Sequence, residues 1–515
     1  MDNELLTTAL ESPTAPPPGT GTSQRTLLKA LRSAAGASVV GYVVNLALLP
    51  FVIHRLGPEL YGAWITASAL LIVGGLADAG IRVEIVRRVG AAQGAGDRDD
   101  LVRSVHQGVT LLAAVAGLFL VAGLLGSPAI RALAFPAGVP GMSNAELEWL
   151  IRGTFGVLAF SLVAKGYCGA LHGLQRSDVE MAAQAAAVPI GAAVTVAGIF
   201  AGWGIWAMLV GAIGELLILV GWQYLRLRRL LPALRPQLVR MSGAATQAYL
   251  AMSGLVLIAQ LSDVVDSQWD KLVLSHFVGS AAVASFQVGT SLVIQAKALV
   301  VVPLAPLLVV IAELRHRDET KMEGYFTLLA KLGMVLAATV LGGVYVFAPA
   351  FVRLWLGDEL APAGGAARLF TVAAAFGLLI APLSFRALGE GWHRMVAATA
   401  AVNMVVNGVL SLAFTIWFGF NGPLYGSIAG NVTGAAVFLV LVRRRLGDRW
   451  TGLPLGALAV GVTAVALAVL LGVDEVASWP ALAAAGALWT AVVGTASVAA
   501  ERVPVSVLLR RRLPA

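Results

Sequence analysis

Runs of about twenty apolar residues, separated by short polar stretches, recur from Ser33 towards the C-terminus of this 515-residue chain. Each run is long enough to cross a bilayer as an α-helix, which satisfies its own backbone hydrogen bonds in lipid. The pattern therefore predicts an all-α polytopic membrane protein with about 14 transmembrane helices. The predicted spans are 33–54, 61–81, 107–126, 149–171, 181–200, 205–224, 249–276, 281–310, 325–347, 366–385, 396–418, 423–441, 453–471 and 481–500.

The polar segments between the spans predict five parts of the chain. These are a disordered cytoplasmic tail (1–32), an N-terminal six-helix lobe (33–225), a basic cytoplasmic linker (226–245), a C-terminal six-helix lobe (246–445), and two extra helices with a basic cytoplasmic tail (446–515). A weak internal repeat supports the two lobes. Ile53–Trp64 aligns with Ser275–Phe286 at an offset of 222 residues, although apolar segments also resemble one another by chance. Repeats with an even number of spans are expected to be related by an axis along the membrane normal.

Composition and charge agree with a membrane protein. The chain is 58% hydrophobic and only 12% charged, whereas soluble domains are about 25% charged. Of the 36 Lys and Arg residues, 27 lie on one side of the predicted membrane and five on the other. The positive-inside rule then places both termini in the cytoplasm. This distribution explains the formal net charge of +8 without a nucleic-acid partner. The single Cys168 excludes an intrachain disulfide.

A polar stripe lies within the seventh predicted span. Its members follow at helical spacings of three and four, so they share one face; they are Gln260, Asp263, Asp266, Ser267 and Asp270. Because a carboxylate facing lipid costs at least ~2.5 kcal/mol, the stripe is predicted to line a polar cavity, unless the segment lies at the water interface. Asp263, Asp266 and Asp270 are candidates to bind a coupling proton or sodium ion, with external water expected near Asp270.

Four cations are candidates to contact an anionic headgroup: Lys297, Lys165, Lys271 and Arg82. Lys297 ranks first because it lies deep in the eighth span, where a cation needs an anionic partner; a buried bridge to Asp263 or Asp266 is the alternative. Lys165 could instead extend to the cytoplasmic surface. Gln287 and Ser291 share the face of Lys297 and are expected to line the same cavity.

Three short motifs carry a resemblance to a known family. Leu56–Trp64 resembles the "LG…YG.W" start of the second helix in Wzx-type polysaccharide flippases, and Asp78–Gly80 with the loop that follows resembles the end of that helix. Asp270–Leu274 is similar to the start of their second lobe. The resemblance covers about residues 33–450. One departure is Val283-Ala284, where many relatives have a Gly or a small aromatic pair.

The resemblance implies the fold of the multidrug/oligosaccharidyl-lipid/polysaccharide (MOP) exporter superfamily, with two six-helix bundles around a V-shaped cavity. It also implies a flippase of the bacterial cytoplasmic membrane that translocates a polyprenyl-pyrophosphate-linked oligosaccharide or polysaccharide repeat unit by alternating access. The expected partners are the lipid-linked glycan, membrane lipids and other glycan-assembly proteins. A cation-coupled multidrug exporter of the same superfamily and a non-transporting scaffold in glycan assembly are the alternatives.

The sequence has no metal-ligand spacing of His and Cys, no phosphate-binding Gly loop and no Ser/His/Asp arrangement that rises above chance. We therefore expect no enzymatic activity, no metal, and no cofactor other than a coupling proton or sodium ion.

The charge bias makes a direct prediction about topology. Reporter fusions or cysteine labelling in cells should place both termini, Arg235 and Arg444 inside, and Asn144 and Asp474 outside, because the Lys and Arg excess keeps its loops in the cytoplasm. A C-terminus on the outside would contradict the arrangement with 14 spans.

Overall fold

A computed structural model shows an all-helical fold and describes residues 22–74, 79–243, 246–247, 249, 268–304, 311, 319–447, 454–473 and 476–503. The helices are α1 (Thr22–Gly74), α2 (Ala79–Ala95), α3 (Arg98–Ala134), α4 (Asn144–Gly173), α5 (Ser177–Phe200), α6 (Trp206–Leu230), α7 (Asp270–Phe277), α8 (Ser280–Val301), α9 (Glu319–Leu356), α10 (Ala361–Gly389), α11 (His393–Phe418), α12 (Gly422–Leu446), α13 (Gly456–Leu470) and α14 (Trp479–Ala500). We call α1–α6 the N-terminal helices and α7–α12 the C-terminal helices. The predicted fold class is confirmed, since nine helical segments within these residues are long and apolar enough to cross a membrane.

The boundaries differ from the predicted ones at several places. α1 begins at Thr22, inside the predicted disordered tail, where the sequence is rich in Leu, Lys, Arg and Ala, which favour helix. The same helix covers the first predicted span and the second as far as Gly74, and it turns at Gly57. α6 continues to Leu230, so the first residues of the predicted linker are helical. The seventh predicted span is described mainly in its last part, from residue 268.

The turn glycines of the two aligned segments have the same unusual backbone conformation. Gly57 has φ 84° and ψ 161°, and Gly279 has φ 116° and ψ 171°. Residues with a side chain rarely adopt a positive φ, so glycine is favoured at both turns. A shared conformation at positions 222 residues apart supports an internal repeat rather than a chance similarity of apolar segments.

The N-terminal and C-terminal helices meet at the ends that the charge bias predicts to be external. A Cβ atom on Gly62 of α1 would lie only 1.7 Å from the backbone oxygen of Ser280 at the start of α8. Nearby, Ser275 Oγ donates a hydrogen bond of 2.7 Å to the carbonyl of Ala134, at the end of α3. These contacts close the molecule on that side.

At the opposite end, the basic linker lies across the N-terminal helices. The chain from Leu231 to Ser242 is non-helical, and α3 provides its partners. The contacts are His106 Nε2 to Arg235 O at 2.8 Å, Val239 N–H to Thr110 Oγ1 at 3.0 Å, and the Tyr249 hydroxyl to Ser104 O at 3.0 Å. The chain between the two sets of helices is therefore held on the N-terminal set.

A buried carboxylate anchors the predicted cytoplasmic end of α2. Glu84 accepts hydrogen bonds from Arg87 and Arg88, and the Arg88 guanidinium lies 4.4 Å from the centre of the Tyr249 ring. Burial raises the pKa of Glu84, but the hydrogen bonds and positive charges of the two arginines outweigh it, so the pKa lies below its usual value. Glu84 is therefore ionised at neutral pH and links α2 to the end of the linker.

Exposed tryptophans lie near both ends of the helices. Trp149, Trp203, Trp417 and Trp479 are 59%, 49%, 75% and 48% exposed, respectively, at ends or loops predicted to be external, and Trp222 is 36% exposed near the predicted cytoplasmic end of α6. Tryptophan concentrates at both membrane–water interfaces because its ring is apolar and its N–H is polar. This arrangement agrees with helices that cross a membrane.

The two extra helices pack on the C-terminal set. On α14, Trp489 Nε1 donates a hydrogen bond of 2.9 Å to the carbonyl of Thr339 in α9. Gly342 makes room for the indole, since a Cβ there would lie 2.7 Å from the ring. On α13, Gly461 packs against Ala338 of α9 in the same way. α9 is thus covered by the extra helices on one side.

The contact at Gly62 is open to a direct test. Gly62→Ala should separate the two sets of helices on the predicted external side, because overpacking a close contact costs about 1–3 kcal/mol. In a Cys168→Ser background, a thiol introduced by Ser280→Cys should then react with a maleimide at least about tenfold faster, since ~1.4 kcal/mol is a factor of ten. Gly94→Ala is the matched control, because a Cβ there meets open space. An unchanged labelling rate in the Gly62 variant would show that the contact does not hold the two sets together.

Candidate functional site

A cavity of about 360 Å³ lies between α1 and α8, next to the contact of Gly62 with Ser280. Its lining combines apolar residues with amide, hydroxyl and aromatic side chains. The polar and aromatic members are Asn45, Tyr61, Trp64, Gln287, Ser291, Gln295 and Trp355. No charged residue is among the described residues that line it.

Helical spacing explains how α8 builds the polar side of the cavity. Gln287, Ser291 and Gln295 follow one another at intervals of four, so they form one stripe along the helix. Gln287 Nε2 donates a hydrogen bond of 2.8 Å to Ser291 Oγ. The sequence had assigned Gln287 and Ser291 to a cavity lining but had missed Gln295, which continues the same spacing.

An apolar groove of about 410 Å³ runs between α9 and α14. Val344, Phe347 and Phe351 of α9 form one wall, and Leu482 and Trp489 of α14 form the other. Leu292 of α8 lines both this groove and the polar cavity. The two spaces are therefore neighbours, with the Leu292 side chain between them.

The predicted cations are divided between the two sets of helices. Lys165 on α4 and Arg82 on α2 are half-buried among the N-terminal helices. Lys271 is half-buried on α7 and donates a hydrogen bond of 2.9 Å to Gln268 Oε1. Lys297 is exposed on α8, and its Nζ lies 4.0 Å from the position of a Cβ on Gly377 of α10. The structure thus places Lys297 beside α10, and its role in binding stays a prediction.

Of the acidic stripe, the structure describes only Asp270. Gln260, Asp263, Asp266 and Ser267 lie outside the described residues, and so does Asp78. Asp270 is 1% exposed, so the expectation of external water beside it is wrong. The reason is that α11 and α12 cover the start of α7, which periodicity within one span cannot show.

Asp270 is part of a buried polar cluster. Ser427 Oγ of α12 donates a hydrogen bond of 3.2 Å to Asp270 Oδ2 and lies 3.5 Å from Asn407 Oδ1 of α11. Ser411 Oγ donates to Asn407 Oδ1 at 2.9 Å and lies 3.4 Å from the carbonyl of Pro423. Ser427, Asn407 and Ser411 are each at most 1% exposed. The cluster therefore gathers carboxylate, amide, hydroxyl and backbone oxygens in one water-poor place.

Sequence reasoning missed a second cluster, in the N-terminal helices. Cys168 and His172 of α4 meet Glu180 of α5, and their potential ligand atoms all lie within 4.8 Å of one another. The spacing of four between Cys168 and His172 indicates that both lie on one face of a helix, which was a usable signal. Nothing in the sequence indicated that Glu180 would complete the cluster.

An arginine at the predicted cytoplasmic end of the C-terminal helices was also missed. Arg386 of α10 is only 5% exposed. It pairs with Glu323 of α9 and donates from Nε to Glu390 Oε1 at 2.7 Å. Two carboxylates thus neutralise this cation, which ties α9 to the end of α10.

Comparisons with known proteins agree with this geometry. Residues 151–363 match a family model described as "Polysaccharide biosynthesis protein". Among solved structures, the lipid II flippase MurJ in an inward closed conformation is similar at 12% identity, with 90% of this chain and 98% of that chain covered and a TM-score of 0.69. An inward-facing multidrug resistance MATE family transporter of the MOP superfamily is 15% identical over 80% of this chain and 96% of that chain, with a TM-score of 0.64. A MOP superfamily transporter from Pyrococcus furiosus is 16% identical, with 81% of this chain and 95% of that chain covered and a TM-score of 0.54. No curated protein sequence matches the chain.

These findings define a multi-pass membrane protein with the fold of transporters and flippases. The fold is similar to that of MurJ and of the MATE transporter, and residues 151–363 match a polysaccharide biosynthesis family model. Both findings agree with the resemblance to Wzx-type flippases that the sequence motifs carry.

Proposed function

We propose that this protein is a flippase that translocates a polyprenyl-pyrophosphate-linked oligosaccharide or polysaccharide repeat unit across the bacterial cytoplasmic membrane by alternating access. The observation that carries the proposal is the uncharged polar cavity with an apolar groove next to it, on the other side of Leu292. Amide groups offer both donors and acceptors to sugar hydroxyls, and aromatic side chains provide flat apolar surface. The groove offers the matching apolar surface to a polyprenyl chain.

The direction of the observed closure fits alternating access. The two sets of helices touch at Gly62 and Ser280, on the predicted external side. A headgroup entering from the cytoplasmic side would reach the cavity with the external path closed. Rocking one set of helices against the other would then expose the cavity outside.

The charges of the substrate need partners beyond the cavity lining. The pyrophosphate is anionic, and Lys297 is an exposed cation of α8 whose Nζ lies beside Gly377 of α10, outside the described lining of the cavity. We assign Lys297 the first contact with the pyrophosphate, with Lys165, Lys271 and Arg82 as further candidates. In the membrane, a cation of this kind is expected to have a functional partner.

We assign Asp270 to ion coupling, together with Asp263 and Asp266. The cluster around Asp270 consists of oxygen atoms, the donor type that hard cations take. Binding of a proton or a sodium ion can bias the two orientations only if its affinity differs between them. Asp270 lies on α7 while its partners lie on α11 and α12, so relative motion of these helices would change the affinity.

A cation-coupled multidrug exporter is the second candidate, because MATE transporters share the fold. It is less favoured because the described lining of the cavity has no carboxylate to attract a cationic drug. A non-transporting scaffold would leave the polar cavity and the neighbouring apolar groove without a role.

The substrate assignment is tested in proteoliposomes with a fluorescent polyprenyl-pyrophosphate oligosaccharide. Gln295→Leu should reduce headgroup translocation by about tenfold, because a lost hydrogen bond to an unpaired polar partner costs ~1–3 kcal/mol. Gln184→Leu, the same change at an exposed position of α5, should leave the rate unchanged. Transport of a lipophilic cation without glycan translocation would favour the exporter, and no transport of either by the wild type would favour the scaffold.

The ion assignment has its own test. Asp270→Asn should abolish the response of transport to an imposed proton or sodium gradient, because the amide keeps an oxygen acceptor for Ser427 but removes the charge. The sequence had predicted external water near Asp270, whereas its burial predicts a full effect of the substitution. Asp358→Asn, at an exposed residue, is the control. If the Asp270 variant responds to the gradient as the wild type does, ion coupling does not depend on Asp270.

A further inference from the structure

The cluster of Cys168, His172 and Glu180 lies apart from the residues that line the cavity and the groove. Cys168 and His172 are one turn apart near the end of α4, and Glu180 is in the first turn of α5. Cys168 Sγ donates to Glu180 Oε1 at 3.1 Å, and His172 Nε2 contacts Glu180 Oε2. Three different donor groups from two helices therefore converge on one point.

The donor set has the chemistry of a zinc site. Zn²⁺ binds thiolate, imidazole and carboxylate groups, and sites with three protein ligands keep a fourth position for water. Cys168 is 5% exposed, while the side chains of His172 and Glu180 are 31% and 16% exposed. The thiol is thus the most deeply buried of the three ligands. An ion can reach it from the end of α4, past the side chains of His172 and Glu180.

Arg82 lies beside this cluster, and its positive charge acts on both Cys168 and Glu180. The stem of Arg82 lies against Gly169, where a Cβ would be 3.2 Å from Arg82 Cγ. A fixed positive charge beside the ligands lowers the affinity for a second cation.

We propose that Cys168, His172 and Glu180 form a Zn²⁺ site that joins α4 to α5, and that the positive charge of Arg82 competes with the metal. Binding forms one Zn–S, one Zn–N and one Zn–O bond. The thiol proton leaves for water, and His172 binds through Nε2 as a neutral imidazole that carries its proton on Nδ1.

The test uses the full-length protein in detergent, purified through a tag that binds no metal. Titration with Co²⁺ should produce the charge-transfer band of a cobalt–thiolate bond, and Zn²⁺ should displace the Co²⁺ at one ion per chain. Zn²⁺ affinity is measured by competition with a chromophoric chelator. Cys168→Ser should eliminate the charge-transfer band. His172→Ala and Glu180→Gln should weaken Zn²⁺ binding by at least about tenfold, the loss that even an outer-shell substitution causes.

Two further variants make the result decisive. Arg82→Gln keeps all three ligands and removes the competing charge, so it should bind Zn²⁺ more tightly than the wild type. Glu215→Gln, at a carboxylate on α6 outside the cluster, should bind like the wild type. Absence of the charge-transfer band in both the wild type and the Arg82 variant would overturn the metal site. Unchanged or weaker Zn²⁺ affinity in the Arg82 variant would overturn the competition.

Discussion

Close packing of α1 against α8 is the constraint on which the interior of this protein depends. Only a residue without a side chain can occupy position 62, because the backbone of Ser280 fills the place of its Cβ. The cavity lies directly beside this contact and takes its walls from the same two helices. A membrane offers little hydrophobic driving force between helices, so van der Waals contact through small residues supplies much of the association. The same contact that joins the two sets of helices therefore also shapes the cavity.

Most of the buried charge is placed away from the cavity. Glu84 is neutralised by Arg87 and Arg88, and Arg386 by Glu323 and Glu390. A charge buried in a protein within a membrane is stable only with a partner, and these pairs lie towards the predicted cytoplasmic ends of their helices. The cavity keeps amide, hydroxyl and aromatic groups instead. The cavity is therefore lined by groups that form hydrogen bonds without carrying a charge.

The two polar clusters differ in the chemistry of their donors. Around Asp270 the donors are all oxygen atoms, deep between α7, α11 and α12. Around Glu180 they are sulfur, nitrogen and oxygen, near a helix end and beside a competing arginine. A hard ion suits the first and a borderline one the second. The N-terminal and C-terminal helices therefore do not carry equivalent polar sites, even though their turn glycines repeat.

The sequence by itself determined the membrane class, the approximate positions of the spans and the turn at Gly279 that repeats the one at Gly57. These follow from properties local to the chain: apolar length, backbone conformation and spacing along one helix. Gln287 and Ser291 could be assigned to one helical face for the same reason. Only the tertiary structure decided that α11 and α12 bury Asp270, that Gln295 and Trp355 share a cavity with Asn45, and that Glu180 closes a group with Cys168 and His172. Periodicity shows which residues share a face, but which helix covers that face depends on packing between segments far apart in the chain.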